Sequence, residues 1–243
     1  MEITIGRRYR GPLTSANGGY ACGRLAAFVD AEEVEVTLRL PPPLDRPLPV
    51  HDVGGHVTLF DGDAVVAEAR RGHLELEIPG PVSVAAAVKA QALHVRVGNP
   101  DFAECFTCGI RSADDGLGVY VGSVESREPF HAAPWVVHES GQEIVWAAID
   151  CPGAYAVGAA GRGDVVLGRM TARVDRVPEI GETCVVTAWP LEEDGRKLFA
   201  GTALFSAEGE VLALARQVWI VPRSSGHGRY RGVSATSRPP SSS

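Results

Sequence analysis

The sequence predicts an α+β protein built from two copies of one module, each with a single long apolar helix and several antiparallel strands. A segment rich in glycine and alanine occurs at residues 18–23 and again at 153–158, with four of six positions identical. A second pair of similar segments occurs at residues 59–70 and 204–216. Both pairs keep the same order along the chain, which favours duplication of a module of about 110 residues.

The length and composition agree with two modules. The chain has 243 residues, of which 45% are hydrophobic and 22% charged, enough for two hydrophobic cores of modest size. We place the first module at residues 1–100 and the second at residues 101–222. Residues 223–243 are rich in arginine, serine and proline, a composition typical of a disordered tail.

The elements of the first module follow from local patterns. Residues 20–29 are apolar on nearly every face, which predicts a buried helix, and Asn17 is a candidate N-cap for it. Small residues along this helix are expected to let strands close tightly around it. Residues 34–40 alternate with period two, as a half-buried strand does, and Asp61-Gly62 predicts a hairpin turn.

The second module repeats this order after a linking helix at residues 82–93. A hairpin turn is expected at Glu208-Gly209. Four strands are predicted, at residues 165–177, 183–190, 198–205 and 211–221.

Charge and hydropathy narrow the function. The formal net charge of −7 disfavours nucleic acid and anionic membranes as partners, because both need a basic face. No apolar run approaches the roughly 20 residues of a membrane span, and the N-terminus lacks the apolar segment of a signal peptide. We therefore expect a cytoplasmic protein with a small-molecule ligand.

The five cysteines predict reduced thiols. Cys105 and Cys108 form a lone C-x-x-C pair, and a tetrahedral zinc site needs two further ligands at regular spacing. His131 and His138 are the remaining candidates, but no second C-x-x-C pair exists, so we expect neither a metal ion nor another cofactor. The other three cysteines lie singly in apolar stretches, where they are expected to be core residues: Cys22, Cys151 and Cys184.

Taken together, these segments resemble the double-hotdog acyl-CoA thioesterases of type II. Residues 17–26 are similar to the start of the first hotdog helix in that family, and the second half of the chain is similar to the catalytic half. Residues 105–109, followed by 116–119, are similar to the opening of many single-hotdog thioesterase-like proteins. The resemblance covers residues 10–222 and implies a tandem hotdog fold, with two antiparallel sheets that each wrap one long apolar helix.

The resemblance also implies a site. In that family an Asp, a Thr and a Gln activate the water that hydrolyses an acyl-CoA thioester, and coenzyme A enters only as part of the substrate. By position the Asp falls on Asp150 and the Gln on Gln217. The Thr position falls near Leu167, which has no hydroxyl, and Thr171 takes this place only if the strand is realigned.

Each catalytic candidate has a simpler structural interpretation. Asp150 precedes Cys151-Pro152, so its carboxylate is suited to cap the helix that follows as well as to activate water. The Gln217 amide is suited either to hold a water or to satisfy backbone groups.

The candidate substrate-binding residues have structural alternatives too. Backbone N–H groups at Gly18, Gly19 and Gly153 are placed to polarise a thioester oxygen, or these glycines allow close packing of helix and strand. Asn17 caps its helix or contacts a ligand.

The resemblance and the candidate residues leave two classes of function. The first is hydrolysis of an acyl-CoA, and the second is a binding module that keeps the ligand pocket without turnover. Dehydratase chemistry ranks below both, because the sequence has no D-x-N-P-x-H-like motif. Three N-terminal arginines are candidates for contact with the phosphates of coenzyme A: Arg7, Arg8 and Arg10. The tandem chain is expected to form an intramolecular pseudo-dimer, and further homo-oligomers stay open.

Overall fold

The computed structural model describes residues 1–112, 114–162 and 165–223. The predicted tail at 223–243 therefore lies outside the described residues from position 224 onward. No helix among the residues that the structure describes is long and apolar enough to cross a membrane.

The first half of the chain contains most of the predicted elements. The hairpin turn at Asp61-Gly62 is confirmed, and Gly62 adopts the positive φ of 60° that such a turn requires. Five strands are present: β1 Glu2–Thr4, β2 Glu33–Leu38, β3 Pro47–Val53, β4 His56–Asp61 and β5 Ala64–Arg71.

The second half confirms the four predicted strands and adds two short ones. Six strands are present: β6 Gly122–Ser123, β7 His131–Val136, β8 Val166–Val174, β9 Thr183–Asp194, β10 Lys197–Ser206 and β11 Val211–Ile220. The last three form a meander of long antiparallel strands, and β8 pairs with β11 at its side. Most residues of β10 are buried, as is the first half of β9.

The strands form one sheet, not the two that the resemblance implied. Its order is β1-β3-β4-β5-β2-β8-β11-β10-β9-β7-β6. The halves join where β2 pairs antiparallel with β8, so that Val34 lies opposite Ala172. Each of these strands would otherwise expose a row of unpaired backbone groups, and pairing them satisfies both edges at once.

The helices are shorter than predicted. The first is α1 (Gly18–Ala26), and the predicted linking helix is confirmed as α2 (Val84–Gln91). Within the described part of the second module, no single long helix is present, and the helical segment begins at residue 142, well before the position that the repeat indicated. It consists of three pieces: α3 Gln142–Ala148, α4 Cys151–Ala156 and α5 Ala159–Arg162.

Pro152 explains the break between α3 and α4. Proline has no backbone N–H and its ring collides with the carbonyl four residues earlier, which here belongs to Ala148. Helix α3 therefore ends at Ala148, and the turn that follows carries Asp150.

Close packing of α1 against α3 explains the glycines of the first helix. A Cβ atom on Gly19 would lie 2.5 Å from the carbonyl oxygen of Trp146, and one on Gly23 would lie 2.6 Å from the Cα of Glu143. The small residues thus admit a neighbouring helix, whereas the sequence led us to expect strands. Strands β2 and β5 also contact α1.

Near the expected boundary at residue 100, segments of each half pack against the other half. Helix α2 belongs to the first half by sequence, yet its Ala90 packs against Gly122 of β6. Conversely, the Phe106 N–H donates to the carbonyl of Arg10 at 2.8 Å. The division into residues 1–100 and 101–222 stays a prediction about ancestry, since the packing crosses it in both directions.

Candidate active site

A cavity of about 570 Å³ lies between the start of α1, the turn between α3 and α4, and strands β8 and β11. Its walls are mostly apolar, and Leu38, Leu167 and Trp219 contribute large side chains to them. Polar groups enter this space from two places, the N-terminus of α1 and the turn before α4. The cavity therefore combines an apolar chamber with a few convergent polar groups, as small-molecule sites commonly do.

Asp150 lies at the wall of this cavity and is only 2% exposed. Its Oδ2 accepts a hydrogen bond of 2.9 Å from the backbone N–H of Gly19, in the first turn of α1. The Asp150 side chain makes no capping hydrogen bond to α4, the helix that it precedes. The helix N–H group that it accepts from belongs to α1 instead. Oδ1 has no hydrogen-bond partner among the described residues.

Burial raises the pKa of the Asp150 carboxyl to about 7, because the charged form loses its hydration. The hydrogen bond from the N–H of Gly19 works in the opposite direction and lowers the pKa. A carboxyl group with a pKa near neutrality is able to accept and return a proton at physiological pH, which an ordinary aspartate does poorly.

Gln217 supports the backbone that carries Asp150. Its side chain is fully buried on β11, and Nε2 donates to the carbonyl of Ile149 at 2.7 Å and to that of Asp150 at 3.3 Å. Its Oε1 accepts from Nε1 of Trp219 at 2.8 Å. Of the two roles that the sequence left open, the structure places this amide on backbone groups, beside the cavity and not across it.

The candidate glycines divide into two groups. Gly18 lines the cavity, and its backbone N–H has no hydrogen-bond partner among the residues described. Gly153 lies under Gln217, because a Cβ atom there would come within 2.8 Å of the Gln217 Cδ. Gly153 therefore permits the approach of the amide, which is the packing alternative. Gly18 also packs closely, since a Cβ atom there would lie 3.0 Å from Cδ2 of Leu167, and its N–H is the group left without a partner.

Asn17 caps its helix, and its contact with a ligand stays a prediction. Its Oδ1 accepts from the N–H of Tyr20 at 2.8 Å, which confirms the predicted N-cap of α1. Its Nδ2 points to the cavity side, where it lies 3.3 Å from Oγ1 of Thr107.

Thr171 does not reach this site. It lies opposite Arg216 and Glu35 in the sheet, whereas Gln217 lies opposite Met170, so Thr171 and Gln217 face opposite sides. The register of β8 and β11 shifts between Val218 and Trp219, and this shift does not bring Thr171 to the side of Gln217. Leu167 occupies the cavity wall instead, at the position where the resemblance places a threonine.

The N-terminal arginines do not face the cavity. Each pairs with an acid elsewhere: Arg7 with Asp45, Arg8 with Glu139 and Arg10 with Glu104. Arg39 and Arg96 line the cavity, and Arg96 stacks on the ring of Tyr120 at 4.9 Å. Sequence reasoning missed these two because nothing in their local pattern distinguishes them from surface arginines.

Three cysteines meet at the same cavity. The sulfur atoms of Cys105, Cys108 and Cys151 all lie within 4.8 Å of one another. The C-x-x-C pair was visible in the sequence, but Cys151 was assigned to the core, and this assignment is wrong because its side chain lines the cavity beside Asp150. The adjacency of Cys151 to Asp150 is the one signal that linked it to the site.

No protein-family model and no curated protein sequence matches this chain. Solved structures do match it. A thioesterase candidate from Novosphingobium aromaticivorans is 14% identical, with 91% of this chain and 95% of that chain covered and a TM-score of 0.63. A protein of unknown function with a hotdog fold from Alicyclobacillus acidocaldarius is 13% identical, with 91% and 92% covered and a TM-score of 0.61.

An acyl-CoA thioesterase II from Mycobacterium marinum also matches, with 11% identity, 88% and 92% of the two chains covered and a TM-score of 0.56. At these identities the likeness establishes the fold. The chain has the hotdog fold in its tandem form, over nearly its whole length.

Proposed function

We propose that this protein hydrolyses an acyl-CoA thioester, with Asp150 as the group that activates water. The observation that carries the proposal is the Asp150 carboxylate at the wall of an apolar cavity, with Oδ2 fixed by Gly19 and Oδ1 free of any partner among the described residues. A buried acceptor without a partner is costly, so its retention in a cavity favours a role toward a ligand.

The proposed reaction uses two further groups of the chain. Asp150 takes a proton from a water molecule as that water attacks the thioester carbonyl, and the N–H of Gly18 donates to the oxyanion that forms. The C–S bond then breaks, coenzyme A leaves as the thiolate, and the proton held by Asp150 passes to the products. Gln217 acts as a positioning residue, because it holds the carbonyls of Ile149 and Asp150.

The cavity suggests how the substrate would lie. An acyl chain would occupy the apolar chamber beside Leu38 and Leu167. Arg96 makes no ion pair among the residues described here, so its guanidinium is available for the phosphates of coenzyme A. The thioester would then lie near the start of α1.

The test is a panel of acyl-CoA substrates with detection of the released thiol. We expect turnover by the wild type and a loss of about 10²- to 10⁴-fold in kcat for Asp150→Asn, the usual contribution of a general base. The amide of Asn keeps the size of the side chain and still accepts from Gly19. Asp63→Asn, in the exposed β4–β5 turn, is the matched control and should retain full activity. Absence of turnover across all chain lengths would reject the proposal.

A second candidate function is the binding of an acyl-CoA without hydrolysis. The presence of Leu167 at the expected threonine position favours it, because no hydroxyl is available there to help Asp150 orient water. In this case acyl-CoA should raise the melting temperature of wild type and Asp150→Asn equally, and no thiol should be released. A selective loss of this stabilisation in Asp150→Asn would exclude simple binding. Including an enoyl-CoA in the panel tests hydration chemistry in the same experiment.

A further inference from the structure

We propose that Cys105, Cys108 and Cys151 form a binding site for a single thiophilic divalent metal ion, Zn²⁺, at the wall of the cavity. The site goes beyond the proposed hydrolase function and does not depend on it. Three thiolates would bind the ion, and the fourth coordination position would be open to the cavity.

The spacing of the sulfur atoms supports three bonds to one ion. All three lie within 4.8 Å of one another, and those of Cys105 and Cys151 are 3.5 Å apart. Zn–S bonds of about 2.3 Å in a tetrahedral site put the sulfur atoms ~3.8 Å from one another. Changes of about 1 Å or less in these separations, within the range of side-chain rotation, would complete the site.

The loop that carries Cys105 and Cys108 is built to hold thiolates. The N–H of Gly109 closes the loop on the carbonyl of Cys105 at 2.8 Å, and a Cβ on Gly109 would come within 2.5 Å of that oxygen. A C-x-x-C pair in a tight loop is typical of metal-thiolate sites.

Asn17 supplies a hydrogen-bond donor to the three cysteines. Its Nδ2 lies 3.8 Å from the sulfur of Cys105 and 3.7 Å from that of Cys151. Such hydrogen bonds to sulfur offset part of the negative charge that three thiolates bring to a site with one divalent ion.

The environment of the cluster separates it from ordinary core cysteines. Cys22 and Cys184 are fully buried in the core, whereas all three members of the cluster line the cavity. Among the described residues no His, Asp or Glu joins the three sulfurs as a fourth ligand. Three protein ligands with one open position is the arrangement of zinc sites that bind water or an exogenous ligand.

The test uses full-length protein without a histidine tag, reduced and stripped of metal by a chelator. Titration with Co²⁺ should give one equivalent bound, with the charge-transfer absorption of cobalt-thiolate bonds, and Zn²⁺ should displace it. Each metal bound should release protons from the thiols. Cys105→Ser and Cys151→Ser should each weaken binding at least about 100-fold, since even the loss of an outer partner costs 10- to 100-fold. Cys184→Ala is the control and should bind one equivalent.

A second measurement uses only the wild type, so that its result does not depend on whether the variants fold. Alkylation followed by mass analysis should show that Zn²⁺ shields the three cluster cysteines and that a chelator exposes them. The proposal is overturned if the reduced wild type binds no stoichiometric metal, or if binding survives in the Cys105→Ser/Cys151→Ser double variant. It is also overturned if Zn²⁺ leaves alkylation of the three cysteines unchanged in the reduced protein.

Discussion

The Oδ2 atom of Asp150 accepts a hydrogen bond from the backbone N–H of Gly19, and this single contact joins residues 131 positions apart. Because the donor is in the first turn of α1, the positive end of that helix faces the carboxylate. The first half of the chain thus fixes the group that the second half contributes. Four predictions follow from this site and its surroundings.

Substitution of Gly19 by alanine should separate α1 from α3. The added Cβ would lie 2.5 Å from the carbonyl oxygen of Trp146, where backbone cannot yield easily. We expect a loss of about 1–3 kcal/mol in the free energy of unfolding, as for other overpacked sites, measured by urea denaturation. Gly80→Ala is the control, because no atom lies within 4 Å of its added Cβ. Equal stability of the two variants would contradict the close packing.

Substitution of Gln217 by leucine should destabilise the turn that carries Asp150. The carbonyl of Ile149 and the Nε1 of Trp219 would both lose their partner while buried, at about 1–3 kcal/mol for each group. Arg216→Gln is the comparison, since Arg216 lies on the opposite face and pairs with the exposed Glu192. We expect that variant to stay within about 0.5 kcal/mol of wild type. A stable Gln217→Leu protein would show that the amide is dispensable for the fold.

Leu167→Thr should increase hydrolysis if the proposed function is right. The residue lines the cavity, so a hydroxyl there would be placed to help orient the attacking water. We expect kcat to rise at least about 10-fold, a fraction of what one donor to the reacting groups contributes. Thr171→Val, on the other face of the sheet, should leave kcat unchanged. The opposite pattern, in which only Thr171→Val alters kcat, would mean that β8 is in a different register.

The titration of His94 should contribute a rise in stability with pH, opposite in sign to the contribution of Asp150, whose raised pKa makes the folded state keep a proton that the unfolded state has lost. Burial lowers the pKa of His94, helped by the nearby charge of Arg96, although the carbonyl of Val121 raises it. The unfolded state therefore binds the proton first, below its ordinary pKa of about 6.5, and stability falls as the pH decreases from there toward the folded pKa. The pKa of His131 is lowered as well, again mainly by burial, so it adds to the same slope.

His94→Gln should remove part of this slope, measured by urea denaturation at several values between about pH 5 and 7. The neutral ring places Nδ1 2.7 Å from the Val121 carbonyl and leaves Nε2 buried without a partner among the described residues. The tyrosine rings of Tyr120 and Tyr155 pack against it. Gly80→Ala, which adds a Cβ atom in open space and removes no titratable group, is the control. If stability depends on pH equally in His94→Gln and in wild type, groups other than His94 cause the dependence.

The strands were the most predictable part of the fold. The alternation in β2 and the turn at Asp61-Gly62 are local patterns, and burial of one face requires them wherever the strand lies in the protein. The N-cap at Asn17 was predictable for the same reason, because its partner is the N–H of Tyr20, three residues away. Asp150 and Gln217 were identified only through resemblance; Asp150 lines the cavity, whereas the Gln217 amide is used on the backbone carbonyls of Ile149 and Asp150, and a catalytic role for either stays a prediction.

The sequence by itself determined the strand β2, the four long strands of the second half, the turn at Asp61-Gly62 and where α1 begins. Only the tertiary structure decided that β2 and β8 join the halves into one sheet, that Asp150 accepts from Gly19, and that Cys151 meets the C-x-x-C pair. The physical reason is distance along the chain. Local periodicity and capping act within a few residues, whereas these contacts depend on which edges and helix faces remain to be satisfied once the whole chain is packed.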